Sequence, residues 1–360
     1  MKKRILTIAV VLSMLISAAA CSKPKAAAVV ETETQAPATV IVSETETESE
    51  TEMSEDIPAG MMRSYLTGEL VPIEEGEKRP FAIMINNIQD ALPQSGIKYA
   101  DVVYEAQVEG GITRLMAVYG DPTGVEKIGS IRSARHYYID FARDNDAIYV
   151  HYGQSKFAEA RIGNESIKTI SGLSGYGTRV FYRSTDRVAP HNVYTTDEML
   201  ELGVEITKNE RNHDKSYQGH LKFSPVDYAP EDGVDANKVS ISFDSKPYFE
   251  YNSEDGLYYR YQYGQKHIDR ESEEQLAFKN IIIQSVHEKA ISDEDHQDLT
   301  LNGKGKGYFI THGKAVEITW ERKNDKDVTR YYDKDGNEIK LNIGKTFFEY
   351  VSTDKTITIE

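Results

Sequence analysis

The sequence predicts an α+β protein in two parts, a mixed α/β N-terminal domain and a second, smaller antiparallel all-β domain. Three observations carry this. Between residues 57 and 225, apolar runs of strand length alternate with helical stretches. From 238 to 360 nearly every segment is a strand signal, several of them beside a turn dipeptide. Between the two lies PVDYAPEDGVDAN, residues 225–237, whose Pro, Asp and Gly content is that of a joint.

The elements follow in chain order. Lys2, Lys3 and Arg4 precede an apolar run, 5–16, and the small residues Ala18, Ala19 and Ala20, so residues 1–20 read as an export signal peptide. Cys21 comes next, and small residues before a cysteine resemble the lipobox of bacterial lipoproteins, whose thiol is acylated. The apolar run is too short to span a bilayer. The expectation is an extracytoplasmic chain anchored to the bacterial membrane by a lipidated N-terminal Cys21. Because Cys21 is the only cysteine, disulfides, cysteine zinc sites and a catalytic thiol are excluded from the mature fold. Residues 22–56 hold nine acids against two lysines and no aromatic residue, which predicts that 21–56 is a disordered acidic tether.

In the 57–225 domain, FAIMIN (81–86) predicts a buried strand, and VVYEAQV (102–108) with ITRLMAVYG (112–120) predicts a hairpin about Glu109-Gly110-Gly111. Within GSIRSARHYYIDFA (129–142), Ala134, Tyr137, Tyr138, Phe141 and Ala142 form a helical stripe, and Ser133 stands where an N-cap belongs. AIYVHYG (147–153) is a strand that feeds a helix through FAEARI, with Ser155 at its cap. In the 238–360 domain the strand signals are VSISFD, then YFEYN and LYYRYQYG around Asp255-Gly256, NIIIQSV, and YFITH with AVEITW around Gly313-Lys314. A last pair about Asp335-Gly336 ends in TFFEYV.

The formal charge is −16, and subtracting the leader (+3) and the tether (−7) leaves −12 for residues 57–360. That balance excludes nonspecific nucleic-acid binding and opposes lying flat on anionic lipid. The candidate site residues cluster in the first domain beside strand ends and turns, where α/β sheets place ligands. Arg114 follows the Gly-Gly hairpin, Arg132, Ser133 and Arg135 open the expected helix, and Arg183, Arg187, His191 and Asn192 fill YRSTDRVAPHN. Arginines in such places suit bidentate binding of phosphate or carboxylate, and ion pairing with acids of the same domain is the structural alternative. A nucleophilic arrangement would draw on Ser155, with His151 or His191 and Glu105 or Glu109, although HYGQS lacks the G-x-S-x-G elbow. No histidine spacing matches a standard metal site, and neither metal nor cofactor is expected.

RPFAIMINN, ADVVYEAQVEGGITRLMAVYGD, IGSIRSARHYYIDFA, IYVHYGQS, RVAPHNVYTT, ITWERK and DGNEIKLNIGKTFFEYV together resemble the YerB-like family of bacterial lipoproteins, which has an N-terminal and a smaller C-terminal domain. The likeness covers most of residues 60–355 and implies a cell-envelope lipoprotein without implying a reaction. The order of Arg114, the hairpin, GSIRSAR and the strand through Tyr152-Gly153 is also similar to the LytR-CpsA-Psr ligases, whose arginines hold a pyrophosphate. By that similarity Arg114, Arg132 and Arg135 hold phosphate. An aspartate usually follows the motif arginine in those ligases, whereas Ser133 follows Arg132 here, which favours binding over metal-assisted transfer.

The functional expectation is an envelope lipoprotein that binds an anionic, phosphorylated wall polymer or lipid head group through an arginine-rich cleft and acts on it or only holds it. The rivals are a noncatalytic scaffold that recruits an envelope protein, and a serine/histidine hydrolase built on Ser155.

Overall fold

The computed structural model describes residues 57–360, and the signal peptide, Cys21 and the 21–56 tether lie outside the described residues. An eleven-stranded sheet forms the backbone of the fold. Its order is Val234–Asp235, Lys314–Arg322, Gly303–Thr311, Asn280–Val286, Thr346–Ser352, Val102–Gln107, Thr113–Tyr119, Phe81–Asn86, Ile148–His151 and Thr169–Ser171, with Arg330–Tyr332 paired to Lys314–Arg322. A six-stranded sheet built from Lys238–Ile241, Tyr248–Asn252, Leu257–Gln262 and their neighbours makes a second layer.

The strand runs read from sequence form for the expected reason. FAIMIN is buried at all six positions, the pattern of a strand covered on both faces. VVYEAQ pairs antiparallel with TRLMAVY, from Val102↔Val118 to Gln107↔Thr113, about the Glu109–Gly111 turn. In the second half LYYRYQ alternates half-buried and buried positions along its length, as a strand with one covered face does.

Three expectations need correction. The two halves are not separate bodies across residues 225–237, because the described residues fall in one compact unit and the large sheet runs through both. Thr346–Ser352, from the second half, pairs in parallel with Val102–Gln107 of the first along five register positions, Thr346↔Val102 to Tyr350↔Ala106. A central strand needs a hydrogen-bonding partner at each edge, and the first half supplies one of them for TFFEYV. The second half is therefore not purely antiparallel, since Thr346–Ser352 also pairs in parallel with Asn280–Val286. Finally, TFFEYV does not close a hairpin about Asp335-Gly336; there Tyr332 bridges Glu338, while Arg330–Tyr332 pairs with Lys314–Arg322.

The helix expected to begin at Ser133 spans Tyr138–Asp144, with Tyr137 at its N-cap and no side-chain cap. Residues 129–135 are instead held extended by partners on both sides. Asn86 N donates to Ser130 O, Arg132 N to Met84 O, Ile131 N to Val193 O, Tyr152 N to Arg132 O and Ala134 N to Gly153 O. Backbone groups spent on neighbouring strands are not free for helical bonds, so tertiary pairing overrides the local stripe. The stripe residues Ala134, Tyr137, Tyr138, Phe141 and Ala142 are buried nonetheless.

Candidate functional site

FAIMIN and IYVH run parallel, and their carboxyl ends, Asn86 and His151, point the same way. The extended IRSAR segment crosses those ends, so the sheet itself aims its arginines at one edge. Gly153, just beyond IYVH, sits at φ +94°, and a Cβ there would lie 2.5 Å from Ser133 Oγ, so the crossing requires glycine.

The expected residues part into two groups. Arg135 is consumed: its Nε and Nη2 fork onto the Glu109 carboxylate, with Nη2 to Oε2 at 2.7 Å, and Nη1 donates to Ala134 O at 2.8 Å. Burial works against ionised Glu109, and the Arg135 bonds outweigh it, so the carboxyl stays below its usual range. Arg114 is 4% exposed and donates to Ser133 O at 2.7 Å, which fixes the crossing segment. Burial, with Arg135 close by, lowers the Arg114 guanidinium to about 10. Ser133 serves through its carbonyl, which accepts from both arginines, and does not cap a helix.

Arg132 stands differently. Its Nη1 makes one long contact, 3.4 Å to Pro190 O, and its Nε is buried with no partner. Arg187 donates to Pro93 O at 2.6 Å and Asp90 O at 3.2 Å, and its Nε is likewise buried and unpartnered. Neither arginine has an acid within ion-pair distance among the described residues. His191 shares this edge: its Nδ1 lies 2.8 Å from Asn86 Nδ2, and burial followed by Arg132 holds its pKa below the ordinary histidine value. Arg183 bonds Asn192 Oδ1 at 2.8 Å and lies 5.2 Å from the Tyr152 ring centroid, while Asn192 Nδ2 donates to Ser184 O at 3.1 Å. Ser130 Oγ, two residues before Arg132 on the crossing segment, is also buried without a partner.

The nucleophilic arrangement is corrected by these contacts. Ser155 Oγ accepts from Ala158 N at 3.2 Å as the N-cap of Lys156–Asn164, the place its spacing predicted. His151 is fully buried with Nδ1 bonded to Gly153 O at 2.8 Å and Nε2 beside Thr169 Oγ1 at 3.0 Å, and burial lowers its pKa to about 4. His191 faces Asn86. Glu105 is wholly buried, accepting from Asn87 at 3.0 Å and from Thr113 and Arg260. None of these groups brings a base to the serine. The sequence-based expectation missed Asn86, whose signal was a single polar residue ending an otherwise apolar strand. It also missed Glu349, an acid inside the buried TFFEYVS run.

The fold and site together define a class: a two-layered sheet protein with an arginine edge at the carboxyl ends of parallel strands. The chain matches the protein of unknown function (DUF3048) N-terminal domain over residues 66–210 and the DUF3048 C-terminal domain over 238–348. It belongs to this DUF3048 family. It is 29% identical over 309 residues to the Bacillus subtilis (strain 168) protein named "Putative lipoprotein YerB", covering 81% of this chain and 87% of that one. The crystal structure of YerB from Bacillus subtilis superposes with a TM-score of 0.72 at 27% identity, over 82% of this chain and 99% of that chain. These matches lend no support to the likeness with LytR-CpsA-Psr ligases.

Proposed function

We propose that the chain is a cell-envelope lipoprotein, anchored through Cys21, whose arginine edge binds a phosphorylated or otherwise anionic group of a wall polymer or lipid head group. One observation carries this reading: Arg132 and Arg187, both near enough to His191 to lower its pKa, each bury a guanidinium Nε that has no acceptor. A buried unmet donor costs about 1–3 kcal/mol, and a bound anion that accepts from it recovers that cost. Planar guanidinium donors suit phosphate oxygens, and a charge-assisted bond is about twice as strong as a neutral one. The reading is of binding without turnover, since Ser155 and His151 are spent on a helix cap and on strand ends.

The test is titration with inorganic phosphate and glycerol 3-phosphate, followed by NMR at the arginine Nε signals. Wild type is expected to show saturable shifts at Arg132 and Arg187. Arg132→Ala is expected to weaken binding by at least tenfold. Saturation without any shift at Arg132 or Arg187, or no saturation at all, refutes the assignment.

A further inference from the structure

The arginine edge continues into a surface whose exposed tips are apolar. Val188, 81% exposed, is the most exposed large apolar side chain among the described residues, and Leu173 is 59% exposed. A chain of contacts joins them. His191 N donates to Val188 O at 2.9 Å, Arg132 reaches Pro190 O, and Asn192 holds Arg183. Arg183 lies over Tyr152, and the Tyr152 ring packs so close to Gly172 that a Cβ there would fall 2.1 Å from it. Leu173 follows directly. Arg132 and Arg183 belong to this chain of contacts, Arg187 adjoins Val188 in sequence, and Arg183 and Arg179 are exposed.

The acids of this stretch do not cancel that row. Asp186 is held by Lys127 at 3.2 Å and Arg270 at 2.9 Å, so it is outnumbered, and Asp90, whose carbonyl accepts from Arg187, sets one carboxylate near His191 against both Arg132 and Arg187. The chain as a whole carries −16, and at physiological ionic strength charges beyond about 8 Å are largely screened, so the groups on this stretch itself decide its local charge. Net charge opposes contact with anionic lipid only when it is evenly spread. Here it is not.

We propose that this face docks on the anionic phospholipid head groups of the membrane, with guanidinium groups on lipid phosphates and Val188 and Leu173 entering the acyl boundary. The proposal rests on the anion-binding reading above and names the source of its anion. A lipid surface fits better than a protein partner because the apolar side chains are single tips separated by arginines, whereas a protein interface buries a contiguous apolar centre. Anchoring at Cys21 would keep the face within reach of that surface through the 22–56 segment. Each arginine near an anionic surface adds roughly fivefold to partitioning.

The experiment uses the chain from residue 21 with Cys21→Ala, so that no acyl group contributes, in co-sedimentation with phosphatidylglycerol-containing or pure phosphatidylcholine vesicles. Glycerol 3-phosphate is titrated in parallel. Retention is expected on phosphatidylglycerol vesicles only. Val188→Asp with Leu173→Asp is expected to reduce it by about tenfold or more while leaving glycerol 3-phosphate binding unchanged, and Arg132→Ala is expected to reduce both. Binding of glycerol 3-phosphate with no vesicle retention, or retention indifferent to the two aspartates, overturns the docking face and leaves the anion site standing. Failure to bind glycerol 3-phosphate overturns the anion site, and the docking face with it.

Discussion

Arg161 and Arg132 are two half-buried arginines near the Tyr138–Asp144 helix, and they are used in opposite ways. Arg161 spends every N–H: Nε and Nη2 on Glu165 at 2.8 and 3.0 Å, Nη1 and Nη2 on Asp140 at 2.6 and 2.9 Å, and Nη1 again on His136 O at 2.9 Å. Burial lowers its pKa, and the bonds from Asp140 and Glu165 together override that and raise it. The same cluster extends to Arg322, 1% exposed, which reaches Asp144 at 3.2 Å and Asp140 at 3.3 Å from the second half of the chain. Arg132 has one long bond to a carbonyl and a stranded Nε, and burial followed by Arg135 lowers its pKa. A buried arginine whose donors are all met is architecture. In the reading proposed above, one left unmet at the sheet edge is left for an anion.

Arg322 carries the greatest load among the met donors. Arg322→Ala strands the buried Asp144 carboxylate and is expected to cost about 3–5 kcal/mol in urea unfolding with glycerol 3-phosphate affinity unchanged. A loss under 1 kcal/mol would mean that this cluster is not the lock between the halves.

The arginine pair of the crossing segment sharpens it. Arg132→Ala is expected to cost about 1.5–3 kcal/mol of anion binding and under about 0.5 kcal/mol of stability. Arg135→Ala, which unpairs half-buried Glu109, is expected to reverse that order. Melting temperature and phosphate affinity measured on both variants decide it, and equal profiles would erase the distinction between met and unmet donors.

Glu349 tests the closed side by pH. It is fully buried opposite Glu105 in the parallel register, and burial followed by the Glu105 charge pushes its pKa well above the usual carboxyl range. A raised folded-state pKa means that the native protein binds more protons than the unfolded chain. The stabilisation is therefore complete below the unfolded carboxyl value of about 4.3 and is lost as pH rises through the folded one, by up to about 1.4 kcal/mol per pH unit. Glu349→Gln is expected to flatten stability between pH 5 and pH 8 and to exceed wild type at pH 8; an unchanged slope would locate the proton elsewhere.

The smallest effect is at Ser155. Ser155→Ala is expected to cost about 1 kcal/mol through the lost cap, and Ser155→Asp to restore most of it. A hydrolytic activity in wild type that vanished in both variants would contradict the structural role.

Much of this was legible in local sequence. FAIMIN, the Glu109–Gly111 hairpin, the Ser155 cap and the buried stripe of YYIDFA follow from apolar period and turn chemistry, which act between residues close in the chain. What the tertiary structure alone decided is which charges meet. Glu109 takes Arg135 across 26 positions, Arg322 finds Asp140 across 182, and Thr346–Ser352 closes onto Val102–Gln107 to make one sheet of two sequence halves. GSIRSAR stays extended because Met84, Val193 and Gly153 accept its amides, partners whose proximity no local pattern encodes. Propensity is set by neighbours in sequence, whereas pairing of buried donors and acceptors is set by neighbours in space, and that is why the unmet Nε atoms of Arg132 and Arg187 emerge only from the folded chain.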